Sequence, residues 1–176
     1  RHRGIVLATV IQIDVGARAF GVSASEGSLL LTIRAQLQSE LDAVNDYIIL
    51  QKMKYDIEYH TEILLPAPML QTEMPRFILQ PLVENAIFHG LEGRGVITLK
   101  TGLLPNGSIY IRIINNGYPL NLEKIEEILH SAQDLSSNGI GIQYVVRMLE
   151  SCFPGAYQFH VSVEHGENQV EIIIPF

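Results

Sequence analysis

Two groups of turn residues, each set between β-branched and apolar runs, constrain this chain more than any other feature. Pro105-Asn106-Gly107 separates residues 96–101 from 108–114, and His165-Gly166-Glu167-Asn168 separates 158–164 from 170–174. Turn formers between such runs predict two β-hairpins. Around them the periodicity is helical. Ile33, Leu37, Leu41, Val44, Ile48 and Met53 recur at three- to five-residue steps and predict a long amphipathic helix over residues 32–55. Residues 23–28, with Gly27, read as the break before it, and residues from about 4 to 22 as an earlier helix. Residues 58–65 read as a strand running into Pro66 and Pro68. Residues 77–91 read as a helix, with Pro75 and Pro81 near its start, where a missing N–H costs least, and Gly90 and Gly93 ending it. Further helices are predicted at Leu122–His130 and over residues 142–151, with a polar stretch at 131–138 between them.

Helices segregated from a mixed, mostly antiparallel sheet make an α+β two-layer sandwich with an N-terminal helical extension. The natural division is residues 1–56 as a helical segment and 57–176 as the main domain. At 176 residues the chain suits one core. A formal net charge of −7, with no basic stripe, argues against a nucleic-acid binder. The lone Cys152 excludes an intrachain disulfide and reads as a small buried residue. No apolar run reaches the roughly 20 residues that a bilayer requires.

Three polar constellations interrupt this plan. In Glu84-Asn85-Ala86-Ile87-Phe88-His89-Gly90, Asn85 and His89 lie four apart and project from one helix face. Asn115-Asn116-Gly117 follows directly on a strand. Asn138-Gly139-Ile140-Gly141 precedes a helix, where small residues let backbone N–H groups approach a phosphate. Each has a bland reading: a satisfied core polar residue, a turn, a flexible loop.

Taken in order, 30 and then 24 residues apart, the three resemble the N, G1 and G2 boxes of the GHKL ATPase superfamily. Leu79-Gln80-Pro81-Leu82-Val83-Glu84-Asn85-Ala86-Ile87-Phe88-His89-Gly90 is similar to the "LQPLVENAIxHG" string of LytS/YesM-type sensor histidine kinases. The segment from Glu40 and Leu41 through Val44, Tyr47 and Ile48 to Gln51-Lys52-Met53-Lys54-Tyr55 is similar to that branch's linker helix. The resemblance implies a Bergerat-type ATP-binding fold and the catalytic domain of a two-component sensor kinase. It also implies ATP and Mg²⁺ as ligands, with Asn85 on the metal and Glu84 as a catalytic, polarising or general-base residue. His89 and Gly90 would lie near the nucleotide, Asn115 would occupy the place of the Asp that receives the adenine amino group, and Gly117 would give the base room. Asn138, Gly139, Ile140 and Gly141 would line the phosphate side, with residues 118–138 as a lid.

The sequence departs from the pattern at several places. Asn115 stands for Asp, Pro119 for the second G1 glycine, Tyr144 for Asn, Met148 for Arg, and Glu167-Asn168 for a Gly-Thr pair. These departures keep a second reading open, a degenerate GHKL nucleotide-binding module with little kinase activity. A mismatch-repair or topoisomerase ATPase is a third, opposed by the "LQPLVENAIxHG" string. No "PHFLFN"-like acceptor segment is found, and His2, His60, His130, His160 and His165 lack its setting. Residues 15–23, with Ala17-Arg18-Ala19-Phe20, weakly resemble the second helix of a dimerisation hairpin. The implied partners are ATP or ADP, an acceptor histidine helix of the same full-length protein, a response regulator and a second copy in a homodimer. The implied setting is the cytoplasmic part of an inner-membrane sensor.

Overall fold

A computed structural model describes residues 11–13, 34–130 and 140–176. β1 is Ile11–Ile13, β2 Arg34–Gln36, α1 Leu37–Lys52 and β3 Asp56–Ile63. A 3₁₀ turn at Ala67–Gln71 leads to β4, Glu73–Pro75. Then come α2, Leu79–Asn85, continued by a π turn at Ala86–Gly90, and the strands β5, Arg94–Leu103, and β6, Ile109–Asn115. Two helices, α3 at Leu122–His130 and α4 at Ile140–Cys152, precede β7, Gln158–Glu164, and β8, Glu167–Ile174.

Six strands form one sheet in the order β1-β7-β8-β6-β5-β3, and β2 and β4 form a separate ribbon. Among the described residues only β3 and β5 pair in parallel, joined by a crossover through α2, and the other pairings are antiparallel. This is the mixed, mostly antiparallel α+β sheet that the sequence predicts. Both hairpins are present. The second is tighter than the four-residue turn suggested: Glu164 pairs with Glu167, so His165 and Gly166 alone make the reversal, with φ of 52° and 82°. Asn168 therefore belongs to β8 and is buried there.

Alternation along β6 turns Ile109, Ile111, Ile113 and Asn115 to one buried face. Against it, with Leu99 and Phe159, pack Leu79, Leu82, Val83 and Ile87 of the α2 segment and Val145, Val146 and Leu149 of α4. Leu37, Leu41, Val44 and Ile48 of α1 belong to the same core. Cys152, at the end of α4, is buried, and burial pushes its thiol up. Among the described residues no helix is long and apolar enough to cross a membrane.

Three elements differ from their sequence expectation. Ile11–Ile13, inside the proposed first helix, is a strand paired with β7, in keeping with β-branched residues flanking Gln12. The rest of that proposed helix, including residues 15–23, lies outside the described residues. α1 begins only at Leu37, because Arg34–Gln36 is extended against Glu73–Pro75, and it ends at Lys52, leaving Met53 exposed. That pairing also takes Pro75 into β4 rather than the start of a helix.

α2 likewise begins at Leu79 and not at residue 77, and the cause is a long-range contact. Phe77 is left-handed, with φ of 61°, and α2 has no side-chain cap of its own. Its first N–H groups are met from 38 residues upstream: the buried Glu40 carboxylate of α1 accepts from Phe77 N–H at 2.7 Å, Ile78 N–H at 3.1 Å and Leu79 N–H at 3.4 Å. A carboxylate at a helix N-terminus satisfies orphan donors and complements the helix dipole. Glu40→Ala should destabilise the fold by about 3 kcal/mol, since buried N–H groups lose a charged acceptor. Urea unfolding measures it, and a loss within error would mean that water replaces the carboxylate.

Candidate functional site

The end of β6, the α2 segment and the start of α4 meet around a cavity of about 240 Å³. Because Asn115 follows Ile113 by two residues, the strand's alternation puts both on one face, and both line the cavity with Val170, which pairs opposite Ile113. Asn85 and His89, one turn apart, enter the same cavity, as the helical spacing predicts. Gly141 packs against Asn85, whose Nδ2 lies 3.4 Å from where a Gly141 Cβ would sit. Residues from all three sequence constellations thus converge.

Two glycines are dictated by closeness. A Cβ on Gly117 would come within 2.1 Å of the Gly90 carbonyl oxygen, and one on Gly90 would lie 2.8 Å from Asn115 Oδ1. The turn after β6 is thereby pressed onto the π turn, and Tyr118 N–H donates to Gly90 O at 2.8 Å.

Asn115 is only 5% exposed. Its Oδ1 accepts from Gly117 N–H at 3.1 Å and from Asn168 Nδ2 at 3.0 Å. Asn168, directly opposite in the β6–β8 register, also donates Nδ2 to Tyr118 O at 2.7 Å and accepts Leu120 N–H on Oδ1 at 2.9 Å. The residue that looks like a turn former is the bracket of the pocket floor.

Other predicted residues are placed differently. Glu84 is not among the cavity-lining residues; it accepts from Gln80 Nε2 at 2.9 Å. On that side of α2, burial, with the Glu84 carboxylate nearby, pushes the Tyr47 hydroxyl up to about 12. Ile140 is the first residue of α4. Gly139 and residues 131–138 of the expected 118–138 lid, Asn138 among them, lie outside the described residues.

The first part of the segment expected as a lid, residues 118–125, lines the cavity through Tyr118, Pro119, Leu120, Asn121, Lys124 and Ile125; of these side chains only Pro119 stood out in the sequence. Asn121 Oδ1 accepts from Lys124 N–H at 3.0 Å and so caps α3. An Asn directly ahead of a helical apolar stripe was the available signal for this cap. Among the described residues no group of three His, Cys, Asp or Glu side chains could hold a metal.

No family model matches the chain. Relatives do. The sensor histidine kinase BtsS of Escherichia coli strain K12 is 31% identical over 129 residues, 73% of this chain and 21% of that protein. The sensor protein LytS of Bacillus subtilis is 26% identical over 143 residues, 79% of this chain and 24% of that protein. Among solved structures, the nucleotide-free catalytic domain of histidine kinase ThkA superposes with a TM-score of 0.64 at 17% identity, over 81% of this chain and 94% of that domain. Full-length ShkA in complex with AMPPNP gives 0.62 at 18% identity, over 81% of this chain and 31% of that chain. The chain has the fold of a histidine kinase catalytic domain. It belongs to the LytS-type sensor histidine kinases, and it spans about a fifth to a quarter of the length of the curated relatives it matches.

Gly117→Ala should destabilise the fold by about 2–3 kcal/mol, the scale of overpacking against backbone that cannot yield. Thermal denaturation checks it; wild-type behaviour would mean that the turn is free to lift off Gly90.

Proposed function

We propose that this chain binds ATP as its Mg²⁺ complex and directs the γ-phosphoryl group to a histidine of the full-length sensor kinase. The observation that carries the reading is the convergence of Asn85, His89 and Asn115 on one cavity, with Gly141 packed against Asn85. The apolar surface of Ile113 and Val170 suits a planar base. The start of α4 suits phosphates, because it offers backbone N–H groups and a favourable dipole.

Asn85 fits a hard cation, because its amide oxygen is the kind of donor Mg²⁺ takes. With no cluster of acidic or imidazole ligands among the described residues, phosphate oxygens and water would complete the shell. The metal would supply charge neutralisation on the phosphates. In the transfer, the bond from the γ-phosphorus to the β–γ bridging oxygen breaks and its electron pair leaves on ADP. An imidazole nitrogen lone pair forms the P–N bond, and the ring's other nitrogen sheds its proton. Glu84 is the proposed acceptor of that proton. It neighbours Asn85 but sits outside the cavity, near Tyr47 of α1, so an imidazole approaching from that side meets a carboxylate. In this reading residues 1–56 lead from the acceptor histidine to the catalytic domain, a second copy supplies the dimer, and a response regulator takes the phosphoryl group onward.

A weakly binding module is the alternative that one observation favours. Asn115 Oδ1 already holds two donors and has no lone pair left for an adenine amino group.

ADP with Mg²⁺ should raise the melting temperature of this chain at millimolar concentration, and Asn85→Ala should weaken that binding roughly tenfold. No heat and no stabilisation would remove the nucleotide reading. On its own the chain should take no label from γ-labelled ATP, because His60, His130, His160 and His165 do not line the cavity and His89, which does, is read as a contact to the nucleotide and not as the phosphoacceptor. The full-length protein should form an acid-labile phosphohistidine that Asn85→Ala abolishes. Acid-labile label on the isolated chain would overturn the view that the acceptor lies elsewhere.

A further inference from the structure

We infer that β3, an outer strand of the sheet, pairs edge to edge with β3 of a second copy of this chain, antiparallel and with Thr61 on the two-fold axis. The inference does not depend on the nucleotide reading, since β5 stands between this edge and β6, whose end lines the cavity.

The backbone bonds decide which groups are open. β3 lies last in the strand order and is laddered to β5 alone. Asp56 N–H donates to Gly93 O at 3.0 Å and Leu64 N–H to Thr101 O at 2.8 Å, so the even-numbered residues of this parallel pair bond toward β5. The N–H and C=O groups of Tyr59, Thr61 and Ile63 point the other way, and among the described residues they have no partner. Ile57 is different: it is buried, and its N–H donates to Tyr55 O at 3.1 Å. From His60 to Leu64 every residue is exposed, Ile63 by 43% and Leu64 by 67%.

A row of unmet backbone groups is a template for another strand, and folded proteins blunt such an edge with a proline, a lysine, a bulge or a covering segment. β3 carries none of these. Its sequence, Asp56-Ile57-Glu58-Tyr59-His60-Thr61-Glu62-Ile63, holds neither Pro nor Lys, its register with β5 runs unbroken from Asp56 to Ile63, and its second half is open to solvent.

The side chains say which strand fits. Alternation puts Tyr59, Thr61 and Ile63 on one face and Glu58, His60 and Glu62 on the other. A two-fold axis normal to the sheet keeps each face in place, so open groups meet open groups only in registers centred on Tyr59, Thr61 or Ile63. About Thr61, His60 lies opposite the partner's Glu62 and Tyr59 opposite the partner's Ile63, each twice by symmetry. The His60 and Glu62 positions are the non-hydrogen-bonded ones, where side chains across the pair approach most closely. Lys100 Nζ, 3.1 Å from Glu62 Oε2, already orients that carboxylate on the same face. The other two registers are worse: centring on Tyr59 sets Asp56 against the partner's Glu62, and centring on Ile63 carries Tyr59 past the strand to the 3₁₀ turn at Ala67–Gln71. The edge is thus complementary to itself in charge and in apolar contact in one register, which favours a second copy over a foreign strand.

Such a pairing makes roughly six backbone hydrogen bonds and covers little apolar area, so the free chain should associate weakly, with a Kd on the order of 100 µM. Sedimentation equilibrium of this chain up to about 1 mM should show monomer and dimer in exchange. Residue-resolved amide exchange reads the register: protection at Tyr59, Thr61 and Ile63 should rise with concentration, while His60 and Glu62, already bonded to β5, should not change. Thr61→Pro removes the central outward N–H at a place where an edge strand tolerates proline, and should weaken association about tenfold or more. If that variant folds poorly, two others serve. His60→Glu sets carboxylate against carboxylate and should weaken the dimer, whereas His60→Lys keeps opposite charges and should leave it within about threefold of wild type. A chain that stays monomeric at about 1 mM, which leaves the edge to a foreign strand, overturns the inference. So does a dimer that leaves the three amides unprotected, or one equally tight in His60→Glu and His60→Lys.

Discussion

The geometry of the site hangs on a carboxylate that never enters it. α2 and the π turn that continues it carry Asn85 and His89, yet α2 starts beneath an exposed Phe77 in a left-handed conformation, with no capping side chain from its own sequence. Glu40 of α1 supplies the missing acceptor. That contact sets where the helix begins, and with a helix of only two turns and a following π turn, it also sets where Asn85 and His89 point. It joins α1 and α2 by charge-assisted bonds in addition to their shared apolar core. A displacement of α1 along its axis is then felt at the first turn of α2, whose Leu82 already lines the cavity.

How much of this could be read from the sequence depends on what kind of information each feature needs. Alternation along β6 is local, so it puts Asn115 on the same face as Ile113 without knowledge of any neighbour. The four-residue step from Asn85 to His89 is equally local. Both hairpins announce themselves through their turns. The role of Glu40 cannot be read this way, because on an amphipathic helix a glutamate looks like part of the solvated face, and its partners are 37 to 39 residues away. Asn168 was hidden for a different reason. Beside His165-Gly166 it looks like a turn former, and only the register of β6 against β8 brings it opposite Asn115. Ile11–Ile13 is read wrongly as helix because a strand on a sheet edge takes its identity from the strand beside it, β7.

The departures from the LytS-type pattern acquire structure when taken as pairs. Asn115 and Asn168 differ from the pattern separately in sequence but hydrogen-bond to each other in space. Tyr144, another departure, sets its hydroxyl 3.4 Å from the Arg76 carbonyl, just ahead of the residues Glu40 holds, and burial raises that hydroxyl. These residues support the same two elements that bound the cavity, the β6 turn and the start of α2.

The close seating of Gly117 on the Gly90 carbonyl has a thermodynamic consequence for any ligand of the cavity. The floor and one wall are already in van der Waals contact and cross-linked by the Tyr118 N–H, so they lose little conformational freedom when a molecule settles between them. Apolar surface on Ile113, Val170 and Ala86 then leaves water against a preformed shape. Such burial carries a negative heat-capacity change and, for a poorly hydrated apolar slot, a favourable enthalpy at room temperature in place of the entropy-driven signature of small apolar solutes. The temperature slope of the binding enthalpy would therefore report how much of a ligand lies in this slot.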